Sequence, residues 1–279
     1  MIDKILQIAK ERVNLFPDPF RKAAIALCGE QSMQAVLLEL LSANDNRGRP
    51  LSGPCLNRVL HPNEASIFCG FRLPKRRSEY LTGRICAKIA IREFSKRTRP
   101  NPIPLTLPEI EITNTANGRP AACIHSSENS AVKMDISIAH SGDYGVALAT
   151  ASKCGIDLQR RDAALLRVQE KYCSRNEHNL LKTVLTEYDT TTQLAILWAA
   201  KEAAKKALSY WQMPGFLDLD LQLLQHLEEY IALSFKVTNQ SWCRQSPEKL
   251  TVTAGMIDDY ALAICLVQED RCDAGTTRS

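Results

Sequence analysis

Apolar residues recur at helical spacing in several stretches of the chain. The clearest stretch runs from Pro74 to about Lys96, where Leu81, Ile85 and Ile89 stack every four residues on one face. Proline in the first turn suits a helix start, because an N–H at that position would have no helical partner. We therefore predict a long helix here. The same spacing predicts further helices at Ile2–Val13, Phe20–Leu41, Ala164–Tyr172, Arg175–Leu185 and Thr191–Leu208.

Shorter runs either alternate apolar and polar residues or are apolar throughout, as strands do. Two of them, Gly145–Thr150 and Cys154–Leu158, are separated by a short polar connection, and we predict that they form a hairpin. Each half of the chain thus places helices before antiparallel strands, which predicts the α+β fold class. The other predicted strands are Glu109–Thr113, Asp135–Ile138, Tyr230–Val237, Leu250–Met256 and Tyr260–Val267.

The segment from Asn44 to Pro54 is rich in glycine, proline and asparagine, which predicts a linker. With the predicted helices and strands, this linker divides the chain into four regions. They are an N-terminal helical extension with linker (1–54), a first half (55–153), a second half (154–269) and a flexible tail (270–279). A partner-binding or membrane-surface helix is an alternative for the start of the chain. The mixed charge of that segment favours an ordinary docked helix.

Composition narrows the class of protein. Hydrophobic residues make up 45% of the chain, and no stretch approaches the roughly 20 apolar residues of a membrane helix, so we expect a soluble cytoplasmic protein with no membrane partner. The net charge of +4 suits an anionic ligand but is small for a nucleic-acid binder. The ten cysteines include no Cys-x-x-Cys pair, which predicts reduced thiols rather than disulfides or a zinc site.

Three short polar segments stand out. In the first, Ser137–Tyr144, a strand leads into a turn that carries His140 and Ser141 beside Gly142. A histidine at a strand end is, on its own, more often structural than functional. In the second, Asp157 interrupts an apolar strand, and alternation sends Gln159 to the same face. A buried aspartate is costly unless it is paired or binds a cation, so Asp157 is a candidate site residue.

The third segment is a helix that carries Trp198, Lys201, Glu202 and Lys205 at positions i, i+3, i+4 and i+7. All four share one helix face. Taken alone, such a Lys-Glu-Ala-Ala-Lys string indicates a solvated face with Glu202 paired to a lysine.

Together, the three segments resemble the signature of the 4'-phosphopantetheinyl transferase superfamily: a Ser-His-Ser turn, then Gly-Ile/Val-Asp on a strand, then Trp/Phe-x-x-Lys-Glu-Ser/Ala-x-x-Lys. The resemblance extends from about Leu60 to Val267. The length of the chain and its division into two halves resemble the Sfp-like branch. The Gly83-Arg84 pair resembles siderophore-type members of that branch. The matching segments are Ile138–Asp143, Gly155–Asp157 and Trp198–Lys205, with support from Phe71–Arg84, Gly118–Pro120 and Tyr172–Glu177.

The resemblance implies a monomeric pseudo-dimer of two similar halves, each a helix packed on a small antiparallel sheet. It implies transfer of the phosphopantetheine arm of coenzyme A to a serine of an apo acyl or peptidyl carrier protein, with release of 3',5'-ADP. The implied cofactor is Mg²⁺, with Mn²⁺ as a substitute. The implied metal ligands are Asp157, Glu202 and Gln159, and the implied catalytic residues are Glu202, Lys205 and His140. The implied coenzyme A ligands are Arg76, Arg77, Arg84, Arg119, His140, Ser141, Lys201 and Lys205.

One position departs from the family pattern. Many Sfp-like members carry Asp-x-Glu where this chain has Asp157-Leu158-Gln159. We expect activity to be retained, with Gln159 binding the metal through its carbonyl oxygen or through water. A weakened member that only binds coenzyme A or a carrier protein is the alternative. Another Mg²⁺-dependent phosphotransferase is a further alternative, although the chain has no Gly-x-x-x-x-Gly-Lys-Ser/Thr loop.

Overall fold

The computed structural model describes residues 16–28, 33–44, 49, 51–98, 104–125, 133–228, 230–238 and 247–267. They form helices and antiparallel strands, so the predicted α+β class is confirmed. None of the helices in these ranges has the length and apolar composition needed to cross a bilayer. The helices are α1 (Asp18–Cys28), α2 (Gly53–Leu56), α3 (Pro62–Gly70), α4 (Pro74–Thr98), α5 (Ala164–Arg167), α6 (Arg175–Val184) and α7 (Thr190–Leu208). The strands are β1 (Gln34–Glu39), β2 (Ile110–Asn114), β3 (Pro120–Ile124), β4 (Asp135–Ser141), β5 (Tyr144–Thr150), β6 (Lys153–Arg160), β7 (Leu219–Leu227), β8 (Tyr230–Val237), β9 (Lys249–Ile257) and β10 (Tyr260–Val267).

The fold consists of two similar halves, each with one long helix on an antiparallel sheet. The first half has the strand order β1-β5-β4, with the β2-β3 hairpin beside β4, and α4 packs on this sheet. The second half has the order β6-β10-β9-β8-β7, and α7 packs on it. When β1 to β5 are matched in chain order to β6 to β10, the neighbours in the two halves agree. The expected arrangement of two similar halves is therefore confirmed.

Three apolar clusters hold these layers together. One lies between α4 and the first sheet, one between α7 and the second sheet, and one between the two sheets, where α1 closes it. The central strands β5 and β10 are buried on both faces because a helix covers one side and the other sheet covers the opposite side. This double cover explains why their sequences are apolar throughout and do not alternate.

The predicted helix from Phe20 to Leu41 is wrong in its second part. Helix α1 ends at Cys28, and β1 follows as a strand that pairs antiparallel with β5. The run Val36–Leu38 is buried throughout, and a short apolar run fits a doubly covered strand as well as a helix. The first half therefore begins before the predicted boundary at residue 55. The helix predicted at Ile2–Val13 lies outside the described residues.

The hairpin predicted between Gly145–Thr150 and Cys154–Leu158 is also wrong. Strand β5 pairs with β1 and β4, whereas β6 pairs with β10. The observed hairpin joins β4 to β5 through Gly142 and Asp143, and Gly142 has the positive φ of 54° that such a tight turn favours. The residues between β5 and β6 instead carry the chain from one sheet to the other.

Other elements were missed or shortened by the sequence analysis. Strands β3 and β7 have mixed polarity, and β7 also contains a register shift between Leu221 and Leu223. The short helices α2 and α3 were not predicted. The helix predicted at Ala164–Tyr172 is helical only over α5 and continues as a 3₁₀ turn at Gln169–Lys171.

The two halves meet along β4 and β6, which belong to different sheets but lie side by side. Side-chain oxygens of β4 accept hydrogen bonds from backbone N–H groups of β6, so these backbone donors are satisfied without a shared ladder. The pairs are Cys154 N–H to Asp135 Oδ2 at 2.7 Å, Ile156 N–H to Ser137 Oγ at 3.0 Å and Arg160 N–H to Ser141 Oγ at 2.9 Å. We call this junction the seam.

Helix α7 packs directly on β6 at Gly155. A Cβ atom added there would collide with the Ala203 carbonyl oxygen and would lie 2.8 Å from the Ala207 backbone nitrogen. Both are backbone atoms of the helix, so they cannot rotate away. The lack of a side chain at Gly155 therefore sets the distance between β6 and α7.

We expect Gly155→Ala to lower the free energy of unfolding by about 3 kcal/mol, because the added methyl group forces α7 away from β6. Urea denaturation measures this change. Gly70→Ala is the control, since a Cβ at Gly70 meets nothing within 4 Å, and we expect it to change stability by less than about 1 kcal/mol. Equal stabilities of the two variants would contradict the close packing.

Candidate active site

The face of β6 that packs against α7 presents Asp157. Its carboxylate is buried, and Oδ1 accepts a hydrogen bond from Lys206 Nζ at 2.7 Å. Burial raises the pKa of Asp157, the Lys206 ammonium opposes this effect, and the nearby charge of Glu202 raises the pKa further. Asp157 and Glu202 therefore lie close enough to interact electrostatically. The structure thus brings together the two carboxylates that the sequence analysis assigned to one site.

Glu202 and Lys205 lie one helical turn apart on α7 and pair with each other. Lys205 Nζ lies 2.8 Å from Glu202 Oε1 and 3.8 Å from the centroid of the Phe216 ring. Both side chains are only partly buried, so they can reach a ligand. Trp198 packs against the same Phe216 ring, with ring centroids 4.7 Å apart.

Lys201, although part of the same motif, is buried in the core. Its side chain is 0% exposed, and its Nζ lies 2.7 Å from Glu177 Oε1. It also donates hydrogen bonds to the carbonyl oxygens of Tyr172 and Phe216, at 2.8 and 3.1 Å. An ammonium group has three donors, and all of them are used here. The prediction that Lys201 binds coenzyme A is therefore wrong.

Lys206 was missed by the sequence analysis, although it directly follows Lys205 in the motif. Besides Asp157, its Nζ donates hydrogen bonds to the carbonyl oxygens of Ile156 and Ile138, at 2.9 and 3.3 Å. These two residues lie on opposite sides of the seam. Lys206 thus connects the candidate site to both halves, and the doubled lysine was the only signal for it in the sequence.

Arg119 holds the seam together. Its Nε and Nη2 bind the Asp135 carboxylate, and Nη2 also donates to the Cys154 carbonyl oxygen at 2.9 Å. Its Nη1 donates to Ser209 Oγ at 2.9 Å and to the Lys206 carbonyl oxygen. The guanidinium is buried and its donors are used by the protein. This corrects the expectation that Arg119 binds coenzyme A.

A cleft of about 260 Å³ opens in the first half, between the start of α4, β4 and the β2-β3 hairpin. Arg76 and Arg84 line it, whereas the third predicted arginine, Arg77, does not. Glu79 lies in the same cleft, 3.2 Å from Arg76 Nη1, and Arg84 stacks over the Tyr80 ring at 4.7 Å. The cleft is therefore basic at its rim and aromatic along one wall.

His140 also lines this cleft. It lies in β4 itself, because the strand continues through Ser141 and only then turns. Its Nδ1 is 3.8 Å from Glu79 Oε1, and its side chain is 40% exposed. Burial lowers the pKa of His140, and the charges of Arg76, Lys206 and Lys75 lower it further against the effect of Glu79. At neutral pH the imidazole is therefore uncharged and can donate or accept a hydrogen bond.

A second cleft of about 190 Å³ continues from the first toward α7. Gly118, Pro120 and Ile138 line both clefts, and Lys206 lines the second. Lys206 binds Asp157, so the second cleft ends one side chain away from that carboxylate, although neither Asp157 nor Glu202 lines either cleft. The candidate site thus extends across the seam.

The remaining predicted residues have partners of their own. Gln159 donates from Nε2 to the Arg160 carbonyl oxygen at 2.7 Å, which leaves its Oε1 as a further oxygen on the Asp157 face. Ser141 accepts the Arg160 N–H across the seam. The amide of the turn beside Gly142 is not open to a ligand, because the Asp143 N–H donates to the Tyr260 hydroxyl at 3.1 Å.

Residues 153–265 match the family described as the 4'-phosphopantetheinyl transferase superfamily. The match supports this superfamily. It covers less than half of the chain but contains β6, α7 and most of β10, and therefore Asp157, Glu202 and Lys205. The superfamily match does not distinguish the Sfp-like branch from the others. No curated protein sequence matches the chain significantly.

Solved structures that share some similarity are holo-acyl-carrier-protein synthases. The Chronobacterium ammoniagenes ACPS–CoA complex is 25% identical, over 42% of this chain and 92% of that chain, with a TM-score of 0.33. The Thermotoga maritima holo-[acyl-carrier-protein] synthase is 22% identical, over 48% and 71%, with a TM-score of 0.32. The Plasmodium yoelii holo-ACP-synthase is 24% identical, over 34% and 73%, with a TM-score of 0.29. TM-scores this low support no structural argument.

We expect Asp157→Asn to raise the melting temperature at pH 7, in the presence of a chelator, by about 2 to 4 °C. The raised pKa means that the folded state binds a proton more tightly than the unfolded state does. Ionised Asp157 therefore costs stability above its folded pKa, and this cost disappears as the pH falls toward the unfolded value of about 4. Asparagine cannot ionise but keeps an oxygen for Lys206.

Thermal unfolding between pH 4.5 and 7.5 tests this, and the gain should shrink as the pH falls. Asp135→Asn is the contrasting variant. It breaks the pairing with Arg119 and should lower the melting temperature. A destabilised Asp157→Asn at pH 7 would contradict the argument.

Proposed function

We propose that this protein is a Mg²⁺-dependent 4'-phosphopantetheinyl transferase. It would transfer the phosphopantetheine arm of coenzyme A to a serine of an apo acyl or peptidyl carrier protein and release 3',5'-ADP. The observation that carries the proposal is the nearness of the Asp157 and Glu202 carboxylates inside the superfamily match, with Lys206, the partner of Asp157, lining the cleft that adjoins the basic one. We further propose a cytoplasmic monomer of the Sfp-like branch, in which one chain supplies both halves.

The residues of the second half fit a magnesium ion. Mg²⁺ binds one or two carboxylates together with phosphate oxygens and waters, and Asp157 and Glu202 are two such carboxylates. Burial and the neighbouring charge raise the pKa of Asp157, so a cation beside it would favour the ionised form. Gln159 Oε1 is the third protein oxygen on this face, and Mn²⁺ would suit the same donor set. Bound metal would neutralise charge on the diphosphate of coenzyme A.

The proton of the carrier serine would pass to the Glu202 carboxylate. As the serine oxygen bonds to the β-phosphorus, the bond from that phosphorus to the bridging oxygen of the diphosphate breaks, and 3',5'-ADP leaves with that oxygen. Lys205, at 2.8 Å, holds the Glu202 carboxylate in position and places a positive charge beside the reacting groups. Chemistry of this kind depends mainly on alignment and charge neutralisation.

The cleft of the first half would bind the nucleotide part of coenzyme A. Arg76 is exposed at the rim, and its planar fork suits a phosphate group. Neutral His140 lines the cleft from β4 and can donate a hydrogen bond to the diphosphate. Arg84 stacks over Tyr80 and offers a flat cationic surface to a base.

A member that binds coenzyme A or a carrier protein with weakened catalysis is the second candidate. The neutral Gln159 supports this alternative, because an acidic residue at that position would strengthen metal binding. In that case the protein would act by binding its ligand in the cleft, and the carboxylates would contribute little.

We expect purified protein with coenzyme A, Mg²⁺ and an apo carrier protein to add one phosphopantetheine to the carrier. Asp157→Asn and Glu202→Gln should each lower kcat/KM by about 100-fold or more, because they remove a metal ligand or the base. Intact-protein mass spectrometry over a panel of carrier proteins measures the product.

Lys182→Ala is the control, because this exposed lysine lies on α6, outside the site. It should change the rate by less than about twofold. Coenzyme A binding without mass gain on any carrier would favour the binding-module alternative. Full activity of both carboxylate variants would exclude the proposed metal site.

We expect Arg76→Ala to weaken coenzyme A binding by about 10-fold, as loss of a charged hydrogen bond to phosphate predicts. Within this proposal Arg76 contacts the 3'-phosphate, so the same substitution should leave binding of 3'-dephospho-coenzyme A unchanged. Isothermal titration calorimetry measures both affinities.

Arg92→Ala is the matched control on α4, because Arg92 pairs with Glu93 and does not line the cleft. It should bind both ligands as the unmodified protein does. An equal loss of both affinities in Arg76→Ala would show that Arg76 contacts another part of coenzyme A.

A further inference from the structure

Two histidines and a glutamate converge at the far side of the first half, where α3 begins beside the β2-β3 hairpin. His61 caps the N-terminus of α3, Glu111 lies on β2, and His125 directly follows β3. Glu111 Oε2 lies 2.8 Å from His125 Nε2 and 3.6 Å from His61 Nδ1. Of the residues that the structure describes, these three form the one group of His, Cys, Asp or Glu side chains with mutually close ligand atoms, all within 4.8 Å.

The spacing of these atoms fits a zinc ion. Zinc binds imidazole nitrogens and carboxylate oxygens at about 2.0 to 2.2 Å, so two ligands of a tetrahedral shell lie about 3.3 Å apart. The observed distances from Glu111 Oε2, 2.8 and 3.6 Å, fall on either side of this value. A set of two histidines and one carboxylate also binds first-row transition metals in preference to Mg²⁺.

The surroundings of Glu111 favour a bound cation. Its side chain is 11% exposed, and within the described part of the chain its ion-pair partners are only these two histidines. The adjacent Glu64, by contrast, is paired with Lys88 at 2.5 Å. Asn63 Nδ2 donates to Glu111 Oε1 at 2.8 Å, which orients the carboxylate and leaves Oε2 facing the imidazoles.

The histidines can adopt a ligand geometry with a small rearrangement. Their rings stack with centroids 4.5 Å apart and an interplanar angle of 12°. Coordination requires one ring to turn so that both nitrogens point at one ion. His125 is 44% exposed at the end of its strand and has room to do so. His61 Nδ1 accepts the Asn63 N–H at 3.4 Å and has one lone pair, so metal binding through Nδ1 would replace this long capping bond.

We propose that His61, Glu111 and His125 bind one Zn²⁺ ion, at a site separate from the Asp157 and Glu202 carboxylates. The ion would join the start of α3 to both strands of the β2-β3 hairpin. The Gly118–Pro120 end of that hairpin lines both clefts, so zinc would stabilise a wall of the ligand site. The proposal does not depend on the transferase function, since it rests on residues outside the superfamily match.

The test is metal binding by the full-length protein, first freed of metal with a chelator. We expect one Zn²⁺ per chain in competition with a chromophoric chelator, and Co²⁺ should give the visible absorption of a tetrahedral site. His125→Ala and Glu111→Gln should each weaken Zn²⁺ binding by about 100-fold, because each removes a ligand. Zinc should also raise the melting temperature of the unmodified protein but not of His125→Ala.

Two control variants show whether zinc binds at these three residues rather than elsewhere on the protein. His226→Ala removes a histidine that also pairs with a single glutamate, Glu187, at 2.7 Å, and it should bind Zn²⁺ normally. Asp157→Asn disables the proposed magnesium site and should also keep the zinc affinity. Unchanged zinc binding by His125→Ala would overturn the proposal, as would the absence of Zn²⁺ binding at micromolar concentration. His125→Ala is decisive even if Glu111→Gln fails to fold, because His125 is exposed.

Discussion

A buried glutamate–lysine pair fixes the long helix of each half to the strands and turns around it. In the second half, Glu177 caps α6, accepts the Leu221 N–H from β7 and binds Lys201 of α7. In the first half, Glu64 caps α3, accepts the Ile112 N–H from β2 and binds Lys88 of α4. Both lysines also donate to two backbone carbonyl oxygens, at Tyr172 and Phe216 in one half and at Val59 and Leu107 in the other. Removing one partner of such a pair leaves an uncompensated buried charge, at a cost of about 3 to 5 kcal/mol. The same network thus occurs at equivalent positions of the two halves, which shows that they share one fold.

This duplication explains where the candidate site lies. Because Lys88 and Lys201 occupy equivalent positions, the next residue along each helix is also equivalent: buried Ile89 in α4 and partly exposed Glu202 in α7. Likewise, Val36 lies opposite Ala147 of β5, as Asp157 lies opposite Ala263 of β10. The positions that carry carboxylates in the second half are therefore apolar core in the first. The first half instead contributes the basic cleft, so the proposed reaction requires both halves.

The sequence predicted the long helices because their apolar residues recur with an unbroken period, and it predicted most strands of the second half from short apolar or alternating runs between turns. It failed at β1, where a run buried on both faces carries no period that separates strand from helix. Helix geometry put Glu202 and Lys205 on one face, and the two side chains do pair. The expectation that Asp157 belongs with them came from the family resemblance, because no local period relates a strand to a helix some forty residues away. The sequence could not tell that Lys201 is structural, or that Lys206 and Arg119 cross the seam. Those roles depend on partners far away in the chain, such as Glu177 for Lys201 and Ile138 for Lys206.

Contacts at the seam offset part of the folding free energy that the buried Asp157 carboxylate costs. Asp157 is buried beside Glu202, an arrangement that raises its pKa and opposes folding when both are ionised. Lys206 offsets part of this cost, and carbonyl oxygens from both halves hold its ammonium in place. Arg119 in turn binds the Lys206 carbonyl oxygen and the Asp135 carboxylate. Asp135 also accepts the Cys154 N–H across the seam. The Lys206–Asp157 pair lies within the second half, and the first half adds the Ile138 carbonyl oxygen and the Arg119 bond that holds the Lys206 backbone. Contact between the two halves therefore adds the cleft of the first half to the carboxylates and lysines that the second half already holds together.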